Sequence, residues 1–161
     1  MRAPRRTTML LAAAILVTSL LTPGTAQAAA RSVNVRVLNR TDFNLYIERG
    51  HLNHGQWGVK PPQLIGDVGK WSSESNGVMT GTAGWAQYRL VDFDGVEQAW
   101  VTVEWSNPYV GSNSYRASVT RRSGYSIGYY GGGGDNASVT FVLLNGNCEV
   151  HPGNGEVTCT T

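Results

Sequence analysis

Residues 32–48, SVNVRVLNRTDFNLYIE, alternate apolar and polar side chains on either side of a short polar break. Val33, Val35 and Val37 share one face of an extended chain, opposite Asn34 and Arg36, and Phe43, Leu45 and Ile47 repeat the pattern. A period of two places successive side chains on opposite faces of a pleated backbone, so each run reads as a half-buried strand. The break Asn39-Arg40-Thr41-Asp42 is made of turn formers, and the two strands are expected to pair as a hairpin. Further strands are expected at residues 86–92, 99–105, 115–120, 124–130 and 137–144, with Asp94-Gly95 and the glycine run 131–134 as turns between them. No segment sustains a 3.6-residue apolar period. Many short strands separated by Gly, Asn and Pro predict an all-β, antiparallel sandwich or barrel.

The N-terminus has the layout of an export signal: Arg2, Arg5 and Arg6, then an apolar core from Leu10 to Leu21, then the small-residue site Ala26-Gln27-Ala28. Three segments are therefore expected: a signal peptide at 1–28, one β domain at 29–144 and a C-terminal tail at 145–161. The apolar core is shorter than the roughly 20 residues that span a bilayer, so a secreted, extracellular protein is expected. The whole chain has 13 Lys and Arg against 11 Asp and Glu. Removing residues 1–28 takes away three of those arginines and leaves ten against eleven, a net charge of −1. No broad cationic footprint for nucleic acid survives that cleavage. The two cysteines, Cys148 and Cys159, are expected to form a disulfide that closes the tail, because an oxidising compartment favours pairing.

Catalytic patterns are missing. His51 and His54 lack the HExxH spacing that sets two imidazoles on a helical face, and they lie among glycines and prolines, so no metal site is assigned. Asp92 and Asp94 flank Phe93 beside Gly95 and read as turn carboxylates rather than a glycosidase pair. There is no GxSxG elbow. No enzyme and no cofactor are expected. Asn39-Arg40-Thr41 and Asn136-Ala137-Ser138 match the N-glycosylation sequon and are read as turns.

The informative residues are aromatic. Trp57, Trp71 and Trp85 recur every fourteen residues among Gly and Pro, and WVTVEWSNPYVGSNSY at 100–115 repeats the theme. Such side chains supply large contact area at low rotamer cost, which suits a binding surface on a β scaffold. Alternation puts Val101, Val103 and Trp105 on one face, and Trp100, Thr102 and Glu104 on the other. Pro108 then ends the strand, leaving Trp105, Asn107 and Tyr109 at a sheet end, where Trp105 is either a core residue or a surface one.

The run Trp105-Ser106-Asn107-Pro108-Tyr109-Val110-Gly111-Ser112-Asn113 resembles the aromatic strand and Asn-Pro-aromatic loop of actinoporins. The segment Gly124-Tyr125-Ser126-Ile127-Gly128 resembles the strand that follows it in those toxins. Residues 73–84, with the neighbouring GxW and Pro-Pro elements, resemble aegerolysins of fungi and bacteria, including bacterial crystal-protein-like members. The likeness spans most of residues 33–143 and implies a single-domain β-sandwich, a membrane-binding cytolysin that recognises a lipid headgroup, often of a sphingolipid. It implies a headgroup site at Trp100, Trp105 and Tyr109, where a cation over an indole face gains about 0.5–2 kcal/mol. Glu104 stands where the family has another headgroup tyrosine, and a carboxylate there suits a primary amine. Trp85 and Tyr88 fall in the region that touches the bilayer. Arg31 leads straight into the Val33 strand with no preceding amphipathic helix, so permeabilisation is expected to need a second, pore-forming protein, as for aegerolysins. The resulting expectation is a secreted, toxin-related, lipid-binding protein. A carbohydrate-binding module or lectin is the alternative, since exposed aromatic platforms also stack on sugar rings. A secreted inhibitor or structural protein, with most aromatics in the core, is a third class.

Overall fold

The computed structural model describes residues 31–120 and 124–160. The expected signal peptide and the basic pair Arg121-Arg122 lie outside these residues. Among the described residues there is no helix, and twelve strands form three sheets. In chain order they are β1 (Ser32–Arg40), β2 (Asn44–His54), β3 (Gln56–Val59), β4 (Leu64–Ile65), β5 (Val68–Glu74), β6 (Thr82–Val91), β7 (Glu97–Asn107), β8 (Ser114–Val119), β9 (Tyr125–Gly131), β10 (Asn136–Asn145), β11 (Asn147–Val150) and β12 (Val157–Thr160). The first sheet runs β3-β5-β1-β10-β9 and the second β4-β2-β6-β7-β8, while β11 and β12 form a separate pair. The two five-stranded sheets face one another as a β-sandwich. All neighbouring strands are antiparallel except β1 and β10, which run parallel.

Every strand expected from alternation is present, but the first pairing is different. β1 and β2 do not form a hairpin: β1 lies between β5 and β10 in one sheet, and β2 between β4 and β6 in the other. The reason is visible at Asn39, which is buried. Its Nδ2 donates to the carbonyls of Phe43 and Gly66, and its Oδ1 accepts from the amide and hydroxyl of Thr41. The polar break is therefore a corner that carries the chain between sheets, and the Asn39 sequon is turn chemistry. Asp92 holds the β6–β7 turn in the expected way, accepting from the amides of Asp94 and Val96 and from Gln98 Nε2. β3, β4 and β5 escape the period-two reading because two are very short and β5 carries Gly69, Lys70 and three polar residues.

The core lies between the facing sheets. Val33, Val35 and Val37 from β1 meet Val101, Val103 and Trp105 from β7, with Phe141 and Leu143 from β10 and Tyr88 and Leu90 from β6. One end is filled by aromatics: Trp71 lies 5.9 Å from Trp105 and 6.2 Å from Tyr88 between ring centroids, and Trp57 lies 5.8 Å from Trp105. Trp105 is only 2% exposed and its Nε1 donates to Ser73 Oγ at 2.9 Å. Its site expectation is thereby corrected: a headgroup anchor must be accessible, and this indole is a core residue. Tyr88 is corrected likewise, since strict alternation with Ala86 and Leu90 turns it inward.

Cys148 and Cys159 form the expected disulfide, joining β11 to β12. The tail also packs against the sandwich. Val150 is buried with Leu38 and Val142 on the outer face of the first sheet, beside Tyr130 and Leu144. Gly128 makes this approach possible, because a Cβ there would lie 2.6 Å from Val150 Cβ.

Trp105→Ala is expected to lower stability by about 3–5 kcal/mol, as emptying a buried Trp site does, whereas Trp100→Ala on the outer face leaves the thermal melt nearly unchanged. Equal losses would place both indoles in one environment and contradict the strand register. Burial also raises the Tyr88 hydroxyl above its ordinary range. The neutral phenol is thus favoured in the folded state, so its contribution is complete below the unfolded value near ~10 and is lost as pH rises toward the folded one. Urea titrations from neutral to strongly alkaline pH should show a steeper alkaline fall in the native protein than in Tyr88→Phe, and parallel curves would refute the assignment.

Candidate functional site

One end of the sandwich gathers the end of β2, the start of β6, the end of β7, the start of β8 and the loops 75–81, 108–113 and 131–135. Two cavities open there. The first, about 490 Å³, is lined by Leu52, His54, Asn76, Met79, Pro108 and Tyr109 among others. The second, about 390 Å³, is lined by Trp85, Glu104, Arg116 and Tyr115 and shares Asn53, His54, Ala83 and Ser106 with the first. The shared walls make them one continuous depression that runs from the loops at this end to Trp85, Glu104 and Arg116 of the second sheet. Combined, their volumes fall in the range of small-molecule sites.

Hydrogen bonds to loop backbone hold the rim. Asn107 is buried at the end of β7, and its Nδ2 donates to the carbonyls of Ser32 and Asp135 at 2.9 and 2.7 Å. Arg31 pairs with the Asp135 carboxylate, donates to the Tyr109 carbonyl at 2.7 Å, and sits 5.8 Å from the centre of the Tyr109 ring. Asn113 Nδ2 donates to the Gly132 and Gly134 carbonyls, and Tyr115 OH donates to Gly132. Burial, partly offset by the hydrogen bond from Asn113, raises the Tyr115 hydroxyl. Gly81 lets two loops touch, since a Cβ there would lie 2.5 Å from the Asn107 carbonyl oxygen.

At the tips of this framework, apolar side chains face solvent. Val78 is 70% exposed, Met79 66% and Val110 81%. Met79 has φ 57°, a left-handed conformation that a non-glycine residue rarely adopts. Phe93 and Val96 are exposed at the opposite end, where Phe93 contacts Phe43 edge-on, and neither of the two cavities opens there.

Register places one row of side chains across the outer face of the second sheet: His51 opposite Trp85, Trp85 opposite Glu104, and Glu104 opposite Arg116. The His51 and Trp85 rings are 6.0 Å apart. His51 and His54 both lie on β2, which runs on to His54 through two register shifts. Among the described residues, no group of three potential metal ligands comes together. Of the residues expected at the site, Trp85, Glu104 and Tyr109 line the depression. Trp105 meets the second cavity only from within the core, and Tyr88 is inside the sandwich. Trp100 pairs with Arg89 four residues before Glu104, about 13 Å away along an extended strand. Sequence reasoning missed Arg116, Met79, Val78 and Val110. Arg116 had a signal in the alternation of β8, while the loop residues gain meaning only from the end of the sandwich they share.

No protein-family model matches the chain, and no curated protein sequence does. Solved structures do. The crystal structure of the lipid-binding protein Nakanori superposes with a TM-score of 0.61 over 72% of each chain at 18% identity. IP-1A from Alcaligenes faecalis gives 0.54 over 73% of this chain and 93% of that one, also at 18% identity. What this chain shares with both is the β-sandwich fold.

Proposed function

We propose that this protein is a secreted lipid-binding protein of the cytolysin type that docks on membranes through loops 75–81 and 108–113 and takes a sphingolipid headgroup in the depression behind them. The observation that carries this reading is the exposure of Val78, Met79 and Val110 on the two loops that supply Met79, Pro108 and Tyr109 to the wall of the first cavity. Apolar tips on a hydrogen-bonded frame leave water at little ordering cost, each buried side chain gaining about 1.5–3 kcal/mol. Behind them the row Trp85, Glu104 and Arg116 offers an indole face and a carboxylate to an ammonium group, and a guanidinium to the phosphate beside it. A zwitterionic phospho-amine headgroup matches that order of charges, and Glu104 favours a primary amine, which can hydrogen-bond a carboxylate. The description of Nakanori as a lipid-binding protein supports the reading. In this reading the chain is a toxin-related binding component, and a second, pore-forming protein supplies permeabilisation.

Cosedimentation with vesicles of phosphatidylcholine alone, and with added sphingolipid carrying a phosphoethanolamine or phosphocholine headgroup, tests this. Binding is expected only to the sphingolipid vesicles, and replacing Val78, Met79 and Val110 by Asp should weaken it by at least about tenfold, since losing even one buried valine exceeds 1.4 kcal/mol. Glu104→Gln should erase a preference for the ethanolamine headgroup. Undiminished binding by the triple variant would overturn the membrane orientation. Dye release by the chain alone would make it a complete cytolysin. A carbohydrate site is the second reading, favoured by Trp85 lying beside the Glu104 carboxylate, with Arg116 beyond it, in an open groove. Glycan binding without vesicle binding would establish it.

A further inference from the structure

The outer face of the first sheet carries a groove of about 420 Å³ on the flank of the sandwich, away from the loop-end depression. Two adjacent rungs of the sheet form its floor. In one, Arg36 of β1 stands directly opposite Lys70 of β5 and beside Thr140 of β10. In the other, Asn34 stands opposite Ser72 and beside Ser138. All six point outward, since their strand neighbours Val35, Val37, Trp71, Ser73, Val139 and Phe141 are buried in the core.

Two cations set directly opposite on one face repel, so this pairing opposes folding slightly. Nothing in the fold relieves it. The ion pairs of the described residues are Arg31 with Asp135 and Arg89 with Glu48, and neither involves Arg36 or Lys70. The nearest carboxylate along β5 on this face, Glu74, accepts a hydrogen bond from Gln56 instead. Among the described residues, none of the six side chains has a hydrogen-bond partner. A guanidinium fork, an ammonium, three hydroxyls and an amide thus face one groove with their donors unused.

We propose that this groove is a second binding site, for a saccharide bearing a sulfate or phosphate monoester. A tetrahedral oxyanion between Arg36 and Lys70 turns their repulsion into shared attraction, with the guanidinium binding two oxygens side by side. The rung of Asn34, Ser72 and Ser138, with Thr140, then meets sugar hydroxyls, which need neutral groups that both donate and accept. The volume suits one sugar unit. Nucleic acid fits poorly, because two cations neutralise too few phosphates and the one ring in the lining, Trp71, is buried in the core and unavailable for base stacking. A bilayer fits poorly too, since the outward side chains of both rungs are polar, Val35, Trp71 and Val139 of the lining are buried in the core, Val59 is its one exposed apolar side chain, and the exposed apolar tips lie at the end of the molecule.

Amide chemical-shift titration with glucose 6-sulfate, glucose 6-phosphate, glucose and inorganic sulfate tests the proposal. The two monoesters are expected to shift residues 34–36, 70–72 and 138–140 together, with glucose, which lacks the oxyanion, and inorganic sulfate, which lacks the sugar hydroxyls, each at least about tenfold weaker, the change that one or two lost hydrogen bonds produce. Arg36→Gln with Lys70→Gln should abolish these shifts while the melting temperature stays equal or rises. That variant should still bind sphingolipid vesicles, and the Val78, Met79, Val110 triple variant should still bind the monoesters, so either site can fail alone. Equal response to inorganic sulfate, shifts elsewhere, or unchanged binding by the double glutamine variant would each overturn the site. Binding only to vesicles carrying a sulfated glycolipid, and not to the soluble monoesters, would overturn it as well.

Discussion

The hydroxyl of Ser73 ties the two sheets together where the sandwich is thickest with aromatics. It is fully buried on β5, accepts from Trp105 Nε1 of β7 at 2.9 Å, and is bonded at 2.8 Å to the hydroxyl of Thr82 on β6. A polar group in such a place is costly unless satisfied, so this bond fixes the depth and orientation of the Trp105 indole. Trp57 and Trp71 then pack around that indole, and Tyr88 packs around Trp71. The stack props the sheets apart at the end that carries the cavities. Remove the hydroxyl and an indole N–H is left unpaired in the core, next to the walls of the depression.

The loop end is rigid for a related reason. Arg31, Asn107 and Asn113 each spend their donors on backbone carbonyls of loops distant in sequence. Backbone that would otherwise need water is satisfied internally, and loops already ordered lose little freedom on binding. The strain at Met79 and the exposure of Val78 and Val110 are therefore carried by a framework, not by loose chain. That combination distinguishes this end from the opposite one, where Phe93 and Val96 are exposed on a turn held by Asp92 alone with Phe43 as its ring contact.

The two outer faces of the sandwich differ in chemistry although both follow the same alternation. The second sheet presents a carboxylate between an indole and a guanidinium, a mixed-charge surface suited to a zwitterion. The first presents two unpaired cations among hydroxyls, suited to an anion. Antiparallel sheets with one solvated face leave those positions free of packing demands, so the outward residues can diverge while the core alternation stays intact.

Much of the fold was legible in the sequence because a half-buried strand announces itself locally. Val33, Val35 and Val37 need no partner to show which face is buried, and the same holds for β6, β7 and β10. Two cysteines, the chain's full complement, likewise leave one possible pairing. Partner choice was not legible. A polar tetrapeptide makes either a hairpin or a corner, and only the contacts of Asn39 with Phe43 and Gly66, one of them 27 residues distant, decide for the corner. The site divides the same way. Glu104, Trp85 and Tyr109 carry their chemistry in the sequence, and alternation already separated Trp105 from Glu104. Whether the Trp105 face was core or surface rested on Ser73, 32 residues away. Sequence determines which side chains share a face, since that follows from backbone geometry; tertiary structure alone decides which face is covered and which loops meet, since both depend on contacts between segments far apart in the chain.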